Sequence, residues 1–104
     1  MIKREKRRYL GLKVVSEQSF AEQVIMGAIQ DSVLRLFGEY GASQANVKQI
    51  KYLPEKGQLV IRCSHKMLEK VRAAITLTVT INGKIASIHV IGVSGTLKAL
   101  SKKT

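Results

Sequence analysis

A strand that ends in a glycine-rich turn closes this chain, and it restricts the folds open to the rest of the sequence. Side chains over residues 84–91 alternate between two faces, which predicts a β-strand. Gly92 and Gly95 then bracket a serine, so we expect the strand to break at Gly92. Residues 97–100 predict a short helix, and the hydroxyl of Ser94 or Thr96 can cap its first turn. Such a helix start can bind a phosphate, although a plain turn and cap explains the same residues.

Three other segments have the two-residue period of strands. In residues 8–15, Leu10, Leu12 and Val14 are spaced to face a core. Residues 47–53 and 58–63 predict two further strands, and residues 54–57 predict the turn that joins them as a β-hairpin. Together with the closing strand, these segments provide four strands for one sheet.

The longest helix is predicted between the first strand and the hairpin. Ser19 is a candidate N-cap with Glu22 three residues later, as in a capping box, and Gly38 marks an end after about residue 37, before a loop over 41–45. Apolar residues cover more than one face of this helix, whereas a small domain covers only one. The apolar residues of this helix are therefore predicted either to lie wholly in the core or to contact a protein partner as well. The candidate partner-contact residues are Phe20, Val24, Met26, Ile29, Val33, Leu34 and Phe37.

Residues 64–83 support two different structures. Ser64 is a candidate cap for a helix with apolar residues at helical spacing. Residues 75–81, however, alternate with threonine and precede Asn82-Gly83, which is typical of a strand entering a type I′ turn. We predict that the helix continues to about Thr80, because the order strand-helix-strand-strand-helix-strand is then complete. The expected fold is an α+β βαββαβ sandwich, with an antiparallel four-stranded sheet, two helices on one face and a short C-terminal helix.

Positive charge is the strongest compositional feature of this single domain. Eighteen Lys and Arg residues oppose seven Asp and Glu, for a net charge of +11. Residues 17–40 carry a local net charge of −3, so the remaining residues carry +14. This excess favours a polyanion partner, with nucleic acid ahead of a membrane surface, since the basic segment has no apolar face to insert. The predicted core (8–94) is flanked by a basic arm (1–7) and by a short helix with a basic tail (95–104). If the two termini meet in space, their positive side chains would form one patch.

Residue patterns typical of catalysis are absent from the sequence. His65 and His89 have no partners at metal-ligand spacing, and no phosphate-binding loop of an NTPase occurs. The closing turn lacks the spacing of a hydrolase nucleophile elbow. We therefore predict no catalytic residue and no metal site. A single cysteine and the lack of an apolar signal segment predict a cytoplasmic protein without an internal disulfide.

The sheet face turned away from the helices is a second candidate site. Tyr9 and Lys13 point to this side if the leucines of the first strand face the helices, and Arg62 and His89 can join them. Sheets that stack RNA bases normally carry two or three aromatic rings, whereas Tyr9 is the one ring available here. The pattern favours recognition of the backbone and shape of a folded RNA over recognition of a single-stranded sequence.

Three segments resemble one known family. They are residues 7–10 (Arg-Arg-Tyr-Leu), residues 71–74 (Val-Arg-Ala-Ala) and residues 92–98 (Gly-Val-Ser-Gly-Thr-Leu-Lys), of which the last is the most specific. Over nearly its whole length the chain resembles the small ferredoxin-like (RRM-like) protein subunit of archaeal and eukaryotic ribonuclease P. Its compact length and trailing lysines are similar to those of archaeal members.

The resemblance implies a non-catalytic subunit of ribonuclease P, in which the RNA subunit uses magnesium to remove the 5′ leader of precursor tRNA. Implied partners are the ribonuclease P RNA, a TIM-barrel-like protein subunit and, through the holoenzyme, precursor tRNA, in a two-plus-two assembly that could contain a homodimer of this chain. Alternatives are a generic structured-RNA-binding or ribosome-associated module, a ferredoxin-like regulator and an autonomous nuclease. The predicted RNA-binding residues are Lys3, Arg4, Lys6, Arg7, Arg8, Tyr9, Lys13, Ser94, Gly95, Thr96, Lys98, Lys102 and Lys103.

Overall fold

The computed structural model describes residues 6–16, 20–78, 80–81 and 83–103. In chain order the elements are β1 (Arg7–Val15), α1 (Glu22–Ala45), β2 (Lys48–Leu53), β3 (Gln58–Ser64), α2 (Leu68–Thr76), β4 (Thr80–Ile81), β5 (Lys84–Ile85), β6 (Ser87–Ser94) and α3 (Leu97–Lys103). Strands β2, β3, β1 and β6 form an antiparallel four-stranded sheet in that spatial order, and β4 and β5 form a separate small hairpin. The predicted α+β sandwich is confirmed, with that hairpin inserted before the last strand.

The core lies between one face of the sheet and helices α1 and α2. Leu10 and Leu12 of β1 are fully buried, opposite Ile61 and Leu59 of β3. Alternation places these side chains on the same face, which the apolar residues of α1 and α2 cover. The helices are also joined by a hydrogen bond of 3.0 Å that the Ser32 hydroxyl donates to the carbonyl oxygen of Ala74. The opposite face of the sheet is here called the outer face.

Helix α1 differs from its prediction at both ends. Ser19 lies outside the described residues, and Ala21 occupies the N-cap position instead. The helix is interrupted at Gly38, whose φ of +73° suits glycine, so the predicted end near residue 37 is correct for its first part. The predicted loop over residues 41–45 is wrong, because helical conformation resumes and continues to Ala45. Ala45 is fully buried, and this burial favours the compact helical turn over an open loop.

The prediction that the second helix continues to about Thr80 is wrong. Helix α2 ends at Thr76, and Thr80–Ile81 pairs with Lys84–Ile85 across a turn in which Gly83 has a φ of +78°. Ile81 is fully buried in the core, which the hairpin permits. The predicted Ser64 cap is also wrong, because a 3₁₀ turn (His65–Met67) precedes α2 and the Ser64 side chain makes no capping hydrogen bond.

The closing strand is longer and less regular than expected. Ile85 belongs to the small hairpin, and β6 continues through Gly92 to Ser94, so the predicted break at Gly92 is wrong. Leu12 pairs with Val90 and Gly11 with Gly92, which leaves Ile91 as the extra residue of a β-bulge. The bulge returns Val93 to the core face, opposite Leu10. Helix α3 then packs against β1 and β6. No helix in the described part of the chain is long and apolar enough to cross a bilayer.

Candidate nucleic-acid interface

The start of β1 lies beside the closing turn. Tyr9 pairs with Ser94 across the two strands, and a Cβ atom added to Gly95 would lie 3.4 Å from Nη1 of Arg8. The amide of His65 donates a hydrogen bond of 2.8 Å to the carbonyl oxygen of Lys6, which holds the beginning of the strand in place. Lys6, Arg7 and Arg8 therefore share one end of the sheet with the glycine-serine turn. Lys3 and Arg4 lie outside the described residues, as do the side chains of Lys102 and Lys103.

Two hydroxyl groups organise the closing turn. The Thr96 hydroxyl oxygen accepts a hydrogen bond of 3.2 Å from the amide of Ala99, which confirms Thr96 as the cap of α3. The Ser94 hydroxyl oxygen accepts a bond of 3.3 Å from the amide of Thr96. Each hydroxyl retains an O–H group of its own that can donate to another acceptor. Gly95, Thr96 and Lys98 are exposed, so this turn can be reached by a ligand.

Replacing Thr96 with alanine is expected to lower the free energy of unfolding by about 1 kcal/mol, because the amide of Ala99 loses its capping acceptor. Thr96→Ser retains the hydroxyl and is expected to preserve the stability to within a few tenths of a kcal/mol. Urea denaturation measures both values. Equal losses in the two variants would show that the hydroxyl does not contribute the cap.

Charge is separated between the two layers of the fold. The four strands of the sheet contain no Asp or Glu, and every acidic residue that the structure describes lies in a helix or a 3₁₀ turn. One of these acids, Asp31, is already paired with Arg35. Three of the four strands carry positive charge, and the cationic residues of the sheet are Arg7, Arg8, Lys13, Lys48, Lys51 and Arg62.

The strand register brings the predicted outer-face residues together. Tyr9 lies opposite Arg62 on one side, and Lys13 lies opposite His89 on the other, so both expected neighbours are confirmed. Lys13 and His89 are exposed, whereas Tyr9 and Arg62 are half-buried. Our prediction of RNA-binding residues omitted Arg62, although its alternation with the apolar Ile61 and Cys63 in the sequence gave a signal for the outer face. It also omitted the two lysines of β2, whose placement depends on a bulge.

Burial corrects the prediction of a protein-contact face on α1. Met26, Ile29 and Val33 are 6%, 0% and 2% exposed, so they belong to the core of this chain and cannot form a surface for a partner. Phe20, Val24 and Phe37 are half-buried against the same core. Of the seven predicted residues, Leu34 is the exposed one, and Leu36 and Tyr40 are exposed as well.

The structure describes few groups suited to covalent or metal chemistry. Burial raises the pKa of the Cys63 thiol to about 11, so this thiol stays protonated near neutral pH and is a poor nucleophile. Within the described ranges, no three His, Cys, Asp or Glu side chains lie close enough together to hold a metal ion.

The fold and the charge distribution define a class of protein: a small, basic α+β sandwich of the ferredoxin-like type with a cationic sheet. The sequence model of the Rpp14/Pop5 family matches residues 8–104. Over 100 residues the chain is 40% identical to ribonuclease P protein component 2 of Pyrococcus furiosus, covering 96% of this chain and 83% of the relative. The protein of the same name from Pyrococcus abyssi is 36% identical over 100 residues, covering 96% of this chain and 85% of that relative.

A solved structure shares the fold at much lower sequence identity. One chain in the cryo-EM structure of yeast ribonuclease MRP superimposes with a TM-score of 0.69 at 13% identity, covering 93% of this chain and 79% of that one. The chain therefore belongs to the Rpp14/Pop5 family. This membership confirms the resemblance to the small protein subunit of ribonuclease P.

Proposed function

We propose that this chain is the non-catalytic, RNA-binding subunit of ribonuclease P that supports the catalytic RNA in removing the 5′ leader of precursor tRNA. One observation carries the proposal: a sheet with six cationic side chains and no carboxylate, in a member of the Rpp14/Pop5 family. Lysine and arginine neutralise phosphates and so reduce the repulsion between RNA helices that pack closely. Because none of the described acidic residues lies in a strand of the sheet, the sheet can present positive side chains to RNA without a neighbouring carboxylate on its strands.

Recognition would rest on the RNA backbone and its shape. Arg8 at the closing turn can bind a phosphate in two-point fashion, and the hydroxyl groups of Ser94 and Thr96 can donate to phosphate oxygens. Tyr9 can stack on one exposed base, but the neighbouring positions Gly11 and Gly92 offer no ring for a second. In this proposal the RNA holds the magnesium and performs the hydrolysis, while the protein itself binds no cofactor.

The protein partner in this proposal is a TIM-barrel-like subunit, and the complete particle is a cytoplasmic two-plus-two assembly that can include a homodimer of this chain. Leu34, Leu36 and Tyr40 place exposed apolar side chains on the surface of α1, where a protein partner can contact them. This surface belongs to the helical layer, and the cationic outer face lies on the opposite side of the sheet. The chain could therefore contact protein and RNA at the same time.

Reconstitution tests the proposed function directly. Host ribonuclease P RNA, the TIM-barrel-like subunit and precursor tRNA are combined at low magnesium, with and without this chain. We expect omission of the chain to abolish most turnover, and we expect the chain alone to cleave nothing. Equal turnover in both mixtures would refute a supporting role, and cleavage by the protein alone would refute a non-catalytic one.

A generic structured-RNA-binding or ribosome-associated module is the alternative function. It is favoured by the scarcity of groups for reading bases, since Tyr9 is the one aromatic residue placed on the described outer face. Competition separates the two functions. A ribonuclease P subunit should bind its own RNA in preference to a ribosomal RNA fragment of equal length, whereas a generic module should bind both equally.

A further inference from the structure

Strand β2 carries two lysines that a regular strand would point in opposite directions. Lys48 and Lys51 are three residues apart, and side chains alternate along a regular strand. In the hairpin, however, Gln49 pairs with Ile61 and Lys51 with Val60, so Ile50 is the extra residue of a β-bulge. Both lysines therefore lie on the outer face, and both are exposed.

The bulge aligns the lysines with the predicted RNA-binding residues. Lys48 lies opposite Arg62, which lies opposite Tyr9, which in turn lies opposite Ser94 of the closing turn. This row crosses all four strands of the sheet, a distance of about 14 Å at the usual spacing between strands. Lys51 lies in the next row, beside Val60 and Gly11. Positive side chains of β1, β3 and β2 thus lie along the outer face between the closing turn and the opposite edge of the sheet.

No opposite charge within the described chain accounts for these lysines. Neither Lys48 nor Lys51 forms an ion pair with a described residue, and the strands around them contain no carboxylate. Glu22, the acid that contacts β2, accepts a hydrogen bond of 2.7 Å from Gln49, which points to the core face. An exposed row of positive charge is complementary to the phosphate backbone of a nucleic acid.

We propose that Lys48, Lys51 and Arg62 form a second phosphate-contact site, so that the RNA backbone crosses the outer face from the closing turn to β2. This inference rests on the proposed function, because it requires that the chain bind ribonuclease P RNA. A simpler role must be distinguished from it: β2 is an edge strand, and lysines on edge strands also prevent pairing with other chains.

The test compares salt dependence in matched variants of the whole chain. The dissociation constant for host ribonuclease P RNA is measured over a series of salt concentrations. If each lysine neutralises one phosphate, Lys48→Ala with Lys51→Ala should lower the magnitude of the slope of log K against log salt by about 1.4 to 1.8. Lys48→Arg with Lys51→Arg should keep the original slope. Lys70→Ala with Arg72→Ala removes the same charge from exposed positions of α2 and should leave the slope within error.

The outcomes separate this inference from the proposed function. An unchanged slope in the folded β2 variant would overturn the second contact site, and an unchanged slope with new self-association in sedimentation would assign the lysines to edge protection alone. An equal loss of slope in the β2 and α2 variants would also overturn it, since net charge rather than position would then govern binding. If the unaltered chain fails to bind ribonuclease P RNA, the proposed function itself fails.

Discussion

Replacing Lys6, Arg7 and Arg8 together with alanine is expected to cause the largest loss of salt-dependent RNA binding in this chain. If each side chain neutralises one phosphate, the slope of log K against log salt should fall in magnitude by about 2.1 to 2.7. Lys6 and Arg7 are exposed, and Arg8 lies against Gly95 at the closing turn, so all three lie at the end of the sheet where the RNA is proposed to bind. Filter binding to host ribonuclease P RNA over a salt series measures the slope.

A charge-preserving variant provides the control for this experiment. Lys6→Arg, Arg7→Lys and Arg8→Lys keep three positive charges, so the slope should remain, while affinity can fall because lysine cannot make the two-point contact of arginine. A triple alanine variant that stays folded and keeps the original slope would contradict a role for the start of β1 in RNA binding.

Local periodicity was sufficient to predict the strands that form most of the sheet. Alternation places Leu10 and Leu12 on the core face and Tyr9 on the outer face, and this depends only on the two-residue period of a strand. The placement of Arg62 on the same face as Tyr9 followed from the same rule, whereas their direct pairing is set by the strand register. A large part of the outer face could thus be assembled from the sequence.

Long-range packing decided the segments where the predictions were wrong. Residues 75–81 carry both helical spacing and strand alternation, and the burial of Ile81 against the core accompanies the hairpin. The hydroxyl groups of Thr76 and Thr78 donate to the carbonyl oxygens four residues earlier, at the place where α2 ends. Competing local signals of this kind are resolved by contacts with residues distant in the sequence, which periodicity does not contain.

The bulges were the second feature hidden from the sequence. Extra residues at Ile50 and Ile91 change which side chains share a face, and nothing in the local composition marks the bulge at Ile50. Regular alternation separates Lys48 from Lys51, so the extension of the cationic surface to β2 could not be predicted. The pairing of β1 with β3 contains no bulge, whereas the pairing of the edge strand β2 with β3 contains one. The outer-face residues of β1 could therefore be predicted from alternation, and those of β2 could not.

The apolar stripe of α1 leads to the second prediction of large effect, because burial divides the predicted partner residues into two groups. Replacing Ile29 with alanine should lower the free energy of unfolding by about 2 to 5 kcal/mol, since this side chain is fully buried and its removal leaves a cavity. That is a large share of the roughly 5 to 15 kcal/mol by which a domain is stable. Urea denaturation followed by circular dichroism measures the loss.

Leu34→Ala is the matched control on the same helix. Leu34 is 44% exposed, so its replacement should change the free energy of unfolding by no more than about 0.5 kcal/mol. If the exposed surface of α1 contacts the TIM-barrel-like subunit, Leu34→Ala should nevertheless weaken binding to that subunit, and calorimetric titration can measure the change. A similar loss of unfolding free energy in Ile29→Ala and Leu34→Ala would contradict the division between core and surface. A core side chain must be buried within this chain, whereas a side chain that contacts a partner must be exposed on it.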